Sequence, residues 1–256
     1  MTTLETLQYW LNHPATMMLV AIIMGSFANV VVSRLPKSDH LSALAWPGSH
    51  CMACGTSIAW YDLIPVFSWL RLRGKSRCCQ TRIPWRYVFL EIAIPAWMAL
   101  MLWCHAPDVA GAWFAFGAMV LMAACIDAET ELLPNTLTTP LVVTGIFSHW
   151  LLGWSVIDAV LGAILGYVTF ALADYLMIRW RPGASSGDGI GIGDWRYAAG
   201  LGAWLGASWV GGFIIISGIL GVLHAKRGRK NSFPFAPHMS VAALGMVLFW
   251  SFKWIG

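Results

Sequence analysis

Charge is what this sequence has least of. Only 11% of its 256 residues are Asp, Glu, Lys or Arg, where soluble domains carry roughly 25%. Hydrophobic residues make up 58%, and the mean hydropathy is +0.67. A surface so poor in charge excludes an ordinary water-soluble globule and points to lipid. The net charge of +4 is too small to suggest nucleic-acid binding. No Lys or Arg precedes the first apolar run, which has only Glu5 before it. A cleaved signal peptide, which needs a positive n-region, is therefore not expected. Familiar chemical motifs are missing too. There is no His-Glu-x-x-His for a zinc protease and no Walker loop. Gly189-x-Gly191-x-Gly193 lacks the strand that a dinucleotide fingerprint needs. The histidines are scattered, with no ligand pair at helical spacing.

Long apolar runs are present instead. A helix needs about 20 apolar residues to cross the hydrocarbon core. Candidates cover residues 16–33, 87–105, 111–126, 137–154, 156–178, 197–223 and 238–254. Basic residues set the orientation. Arg34, Lys37, Arg71, Arg73, Lys75, Arg77, Arg82 and Arg86 fill the first long loop, residues 34–86, which is predicted to be cytoplasmic. The N-terminus then lies outside. The cluster Lys226, Arg227, Arg229, Lys230 stays inside only if residues 197–223 cross twice, broken near Gly206–Ser208 or Gly211–Gly212. The expectation is an all-α polytopic membrane protein with about eight transmembrane helices, or seven if that stretch crosses once. Its parts are a first helix (1–33), a small cytoplasmic Cys-containing domain (34–86) and a helical membrane domain (87–256). Gly162-x-x-x-Gly166 and Gly202-x-x-x-Gly206 have the spacing of close helix packing. No long internal repeat stands out.

Two acids draw notice. Asp127 closes an apolar run and is followed by Leu133-Pro-Asn135; Asp194 closes the glycine-rich run Gly187-Asp-Gly-Ile-Gly-Ile-Gly-Asp194. Both fall where a helix meets the predicted cytoplasmic face, and carboxylates at membrane depth are functional candidates by default. Two carboxylates brought together do not both ionise readily, so one keeps a proton. That is the division of labour in an aspartic protease. An Asp at a helix end also serves as an ordinary cap, and Glu129, Glu131 and Asp188 lie nearby. Asp158 and Asp174 read as interfacial or buried partners.

Four of the six cysteines sit in the first loop. Cys51-Met-Ala-Cys54-Gly is one half of a zinc ribbon, in which thiolates fill tetrahedral positions. The second half reads Ser76-Arg-Cys78-Cys79. Cys79 is in register, Ser76 replaces the expected thiol, and Cys78 or His50 is the alternative fourth ligand. Cys104 and Cys125, in apolar runs, read as packing residues.

The ordered set of segments resembles the bacterial type IV prepilin peptidases, the leader peptidase/N-methyltransferases. It comprises Gly25-Ser-Phe-Ala-Asn-Val-Val-Val-Ser-Arg-Leu-Pro36, the Cys51 pair, Trp60 to Lys75, Ile83-Pro-x-Arg-Tyr-x-x-x-Glu91, Ile126-Asp127 with Leu133-Pro-Asn, Gly191-Ile-Gly-Asp194 and Pro234-Phe-Ala-Pro237. The resemblance implies an inner-membrane aspartyl peptidase working at the cytoplasmic face, with Asp127 and Asp194 as its pair. It implies prepilins and type II secretion pseudopilins as substrates, cut after a leader glycine. It also implies N-methylation of the new N-terminus with S-adenosylmethionine. The chain departs from the family at Ser76, at Asp188 (glutamate is commoner), at Arg196 (lysine is commoner) and at Ala236, which replaces a glycine. Presenilin-like proteases share Gly-x-Gly-Asp but not the Cys-bearing loop. The non-enzymatic alternative is a membrane transporter or assembly scaffold.

Overall fold

The computed structural model describes residues 12–180, 191–227 and 234–253. Among them the regular elements are ten α-helices and one 3₁₀ turn, with no strand. Helix α1 covers Pro14–Ser38 and is followed by the one-turn α2 (Ser42–Ala45), the 3₁₀ turn Trp60–Asp62 and the short α3 (Phe67–Arg71). Then come α4 (Arg86–Cys104), α5 (Pro107–Thr130), α6 (Asn135–Leu151) and α7 (Val156–Trp180). The last three are α8 (Ile192–Leu205), α9 (Ala207–Arg227) and α10 (Ala236–Lys253). Each predicted apolar segment is helical over most of its described length, and the stretch 197–223 is broken at Gly206, the first of the two break points expected.

Among the described residues, five helices are long and apolar enough to cross a membrane: α1, α4, α5, α7 and the Ala207–His224 part of α9. Helix α8 has 14 residues, about 21 Å at 1.5 Å per residue, short of the roughly 30 Å hydrocarbon core. Helix α1 outruns its predicted end at residue 33, continuing through Pro36 to Ser38. Arg34 explains the extension: its guanidinium donates to the carbonyls of Ala43 and Gly48, both at 3.1 Å, and ties the polar tail of the helix down.

The chain divides into two compact units, Met1–Met122 and Ala123–Gly256. In the first, α1 packs on α4. Gly25 permits this approach, since a methyl there would lie 3.2 Å from the Leu90 carbonyl oxygen. Asn29 donates to the Tyr87 carbonyl (3.2 Å) and Arg86 to Ser33 Oγ (2.9 Å) across the same seam. The loop is anchored where Glu91 accepts the Val66 N–H at 2.6 Å. Asp62 is gripped by Arg77 (2.7 and 2.9 Å) and Arg71, which hold its carboxyl below the ordinary carboxylate value.

In the second unit, α8 is clasped by α7 and α6. A methyl on Gly162 or on Gly202 would overlap the carbonyl oxygen of the other, and one on Gly166 would overlap that of Ala198. The two small-residue patterns therefore meet each other, letting backbones touch. On the α6 side, Trp204 donates to the Leu141 carbonyl at 2.9 Å, and the buried His149 ring lies between the carbonyls of Ser155 (3.0 Å) and Trp204 (3.3 Å). At the break, Gly206 takes φ +77°, and Asp158 accepts the Ala207 N–H at 3.2 Å, satisfying the first turn of α9. Asp158 is thus the partner that its sequence position suggested.

Replacing Gly202 by Val should lower the melting temperature in detergent by about 2–12 °C, since overpacking costs about 1–3 kcal/mol and each kcal/mol moves Tm by roughly 2–4 °C at this size. Gly211→Ala, where a methyl meets no atom within 4 Å, is the control and should not lower it.

Candidate active site

Helix α5 delivers Asp127 within its last turn, 4% exposed. The chain then turns through residues 131–134, and Pro134, with φ −64° and ψ 141°, caps α6 at Asn135. Helix α8 begins beyond Gly191, and Asp194 is its third residue. There the carboxyl reaches back to the backbone amide of Gly191, as an acid at this position does in a capping box.

Gly193 lets these two segments meet. A methyl on it would lie 3.0 Å from Leu133 Cβ and 3.3 Å from the Leu133 carbonyl oxygen. One turn further, the Arg196 guanidinium hydrogen-bonds Asn135 Oδ1. Arg196 therefore pins the start of α8 to the start of α6. Asp127 and Asp194 come close enough for their charges to interact.

A third segment completes the arrangement. Ala236, first residue of α10, donates its N–H to Asp127 Oδ2 at 2.8 Å, and the Phe235 amide also faces that carboxyl. The free amides of a helix start favour an anion there. The buried Tyr197 hydroxyl lies 2.6 Å from Ser240 Oγ, which donates to the Ala236 carbonyl at 2.7 Å. Asp194 Oδ1 and Trp195 Nε1 are buried with no hydrogen-bond partner among the described residues. Two neighbouring carboxyls, one clamped by amides and one with an open oxygen, form an arrangement that can move protons.

Both predicted acids are thus brought into one place. Glu129 and Glu131 are exposed, although the charge of Glu131 reaches Asp127. Asp188 and most of the glycine run before Gly191 lie outside the described residues, as do Arg229 and Lys230. Sequence reasoning missed the roles of Phe235, Ala236, Tyr197 and Ser240. The available signals were two prolines bracketing a helix start and a tyrosine three residues past Asp194, on the same helix face.

The cysteine segment folds as two copies of one turn. Cys51 N–H bonds the Thr56 carbonyl at 2.8 Å, and Ser76 N–H bonds the Thr81 carbonyl at 2.8 Å. Gly55 N–H returns to Cys51 and Gln80 N–H to Ser76, with φ +73° at Gly55 and +59° at Gln80. Ser76 therefore stands where Cys51 stands in the other copy, and Cys78 supplies the missing thiol. The sulfurs of Cys51, Cys54, Cys78 and Cys79 all lie within 4.8 Å of one another. Neighbouring separations are 3.2 Å (Cys54–Cys78), 3.6 Å (Cys51–Cys79) and 3.9 Å (Cys78–Cys79). Four sulfurs about 2.3 Å from a tetrahedral zinc would be about 3.8 Å apart, so the set fits that ion. His50 lies outside the cluster and hydrogen-bonds the Gly48 carbonyl at 2.8 Å. Hydrogen bonds from Ser76 and Thr81 pull the Cys79 thiol down to about 6, while sharing a proton with Cys54 pushes Cys78 up to about 12.

Comparisons with known proteins find matches over most of the chain. Residues 19–105 match the family described as the bacterial peptidase A24 N-terminal domain, and residues 114–225 match the type IV leader peptidase family. The prepilin leader peptidase/N-methyltransferase of Dickeya chrysanthemi is 32% identical, over 91% of this chain and 91% of its own. That of Klebsiella pneumoniae is 36% identical, over 78% of this chain and 88% of its own. The type 4 prepilin-like proteins leader peptide-processing enzyme of Escherichia coli is 30% identical, over 92% of this chain and 95% of its own. No solved structure matches. On these matches, spread over both units, the chain belongs to the type IV leader peptidase family.

Proposed function

We propose that this protein is a membrane aspartyl peptidase that removes the leader from type IV prepilins and type II secretion pseudopilins, cutting after a leader glycine, and then methylates the new N-terminus. The observation that carries the peptidase reading is the meeting of Asp127 and Asp194, with the α10 amides on one and, on the other, a buried oxygen without a partner among the described residues. The names of the relatives support the substrate class and the second activity.

The chemistry needs one ionised and one protonated carboxyl. The ionised one takes a proton from water as the water oxygen adds to the scissile carbonyl carbon. The protonated one gives its proton to the carbonyl oxygen, forming a tetrahedral diol. On collapse the C–N bond breaks. The first carboxyl hands its proton to the leaving nitrogen, and the second regains one from the diol as the new carboxyl forms. The pair ends as it began. Methylation of the new amine takes its methyl from S-adenosylmethionine. The sequence carries no glycine-rich loop of the soluble methyltransferase kind, and no residue is assigned to the donor.

Basic residues favour an inner-membrane protein with the site on the cytoplasmic face: eight lie in the loop 34–86, which holds the Cys-containing domain between the first helix (1–33) and the membrane peptidase domain (87–256). Cys51, Cys54, Cys78 and Cys79 hold a structural zinc in this reading. The transporter or scaffold alternative gains no support, because paired acids in a transporter belong near mid-span. Here they sit in the last turn of α5 and the first turn of α8.

Asp127→Asn and Asp194→Asn should each lower prepilin cleavage by at least about 10²-fold, the scale of lost general acid–base catalysis, read from product masses. Wild-type turnover by either variant contradicts the reading. Purified protein should carry one zinc per chain by elemental analysis. Cys54→Ser or Cys79→Ser should lose it, and Cys104→Ser should keep it.

A further inference from the structure

The two aspartates are held differently. Asp127 Oδ2 accepts the Ala236 N–H at 2.8 Å, and the Phe235 amide also faces it. Both amides sit at the start of α10, where the helix dipole favours negative charge. Asp194 faces one amide, that of Gly191, and its Oδ1 is buried with no partner among the described residues. Amide donors replace the water that an ionised carboxylate gives up. An oxygen without a donor suits the protonated form, whose O–H is then free to donate.

A hydrogen-bond chain keeps the α10 amide on target. Ser240 Oγ donates to the Ala236 carbonyl at 2.7 Å, which commits its one proton. The Tyr197 hydroxyl, 2.6 Å away, must then donate to Ser240. Tyr197 belongs to α8, three residues after Asp194. The chain therefore locks the helix bearing one aspartate to the helix start that holds the other.

We propose that Tyr197 and Ser240 are positioning residues that keep the α10 amides on Asp127, so that Asp127 is the ionised, water-activating member of the pair and Asp194 the protonated one that meets the substrate carbonyl. This rests on the peptidase reading above. Among the described residues, the ionisable groups around Asp127 are Asp194 and Tyr197 from α8 and Glu131 from the turn after α5. Glu131 is exposed, and water screens it.

The test is the pH profile of kcat/KM for prepilin cleavage by the full chain in detergent. Its acid limb reports the base and its alkaline limb the acid. Ala236→Pro removes the N–H donor at a first helical position, where proline is tolerated. Ser240→Ala and Tyr197→Phe each remove one link, and Ser240→Thr restores the hydroxyl. Ala236→Pro and Ser240→Ala should move the acid limb up by about one pH unit, and Tyr197→Phe should move it the same way. The alkaline limb and KM should stay in place, and Ser240→Thr should follow wild type. If the alkaline limb moves instead, the roles are reversed and the proposal fails. If rates fall with neither limb moving, the residues are merely structural and it fails as well. Asp127→Asn and Asp194→Asn run alongside: wild-type cleavage by either sinks the peptidase reading itself, whereas loss in both with unmoved limbs sinks only this assignment.

Discussion

The hydrogen bond from Ala236 N–H to Asp127 Oδ2 joins positions 109 residues apart in the chain, and the arrangement of the second unit follows from it. A carboxylate 4% exposed at the end of an apolar helix has little water to solvate it. Backbone amides must do so, and the amides left over in a folded chain are those at helix starts. Helix α10 therefore begins against Asp127. Helix α8 must likewise present its start, with Asp194 in the first turn, to the same place. At 14 residues, about 21 Å long, α8 falls short of the hydrocarbon thickness, and it is held from both ends. Gly202 and Gly162 seat its far part against α7, and Gly193 against Leu133 with Arg196 on Asn135 fixes its near end.

Much of this was legible before the structure. The scarcity of charge pointed to the membrane class, and a break near Gly206 was expected, where the chain does turn; the two full crossings expected on either side of it were not matched in length, because α8 has only 14 residues. Asp127 and Asp194 stood out as acids at the ends of apolar runs. The α10 contribution was not legible, because it is made by backbone amides and leaves no side-chain signature at Ala236. The Tyr197–Ser240 pair was hidden for a similar reason: a tyrosine and a serine in apolar helices declare a partnership only when packing brings them together. Helix α1 overran its predicted end because the restraint is Arg34 reaching forward to Ala43 and Gly48, a contact no local pattern encodes.

The cysteine segment shows the same limit. Ser76 breaks the second Cys-x-x-Cys, so the sequence left Cys78 and His50 as rival fourth ligands. The repeat lives in the backbone, where Cys51 and Ser76 make matching bonds and Gly55 and Gln80 both take positive φ. Only Thr56 and Thr81, with Cys54 and Cys79, repeat as residue types. The structure settles the geometry by gathering all four thiols and turning His50 to Gly48. The same segment is tied to α4 where Glu91 accepts the Val66 N–H.

The central claim is that Asp127 and Asp194 form a single reaction centre. The most direct measurement is thiol cross-linking in membranes, with Asp127→Cys and Asp194→Cys combined in a chain whose native cysteines are replaced by serine. A short bis-methanethiosulfonate and peptide mass mapping report the link, with Trp154→Cys and Trp250→Cys, whose rings lie 6.3 Å apart, as the reference pair. The account predicts an efficient 127–194 link, matching the reference pair. Absence of that link while the reference pair joins would contradict it.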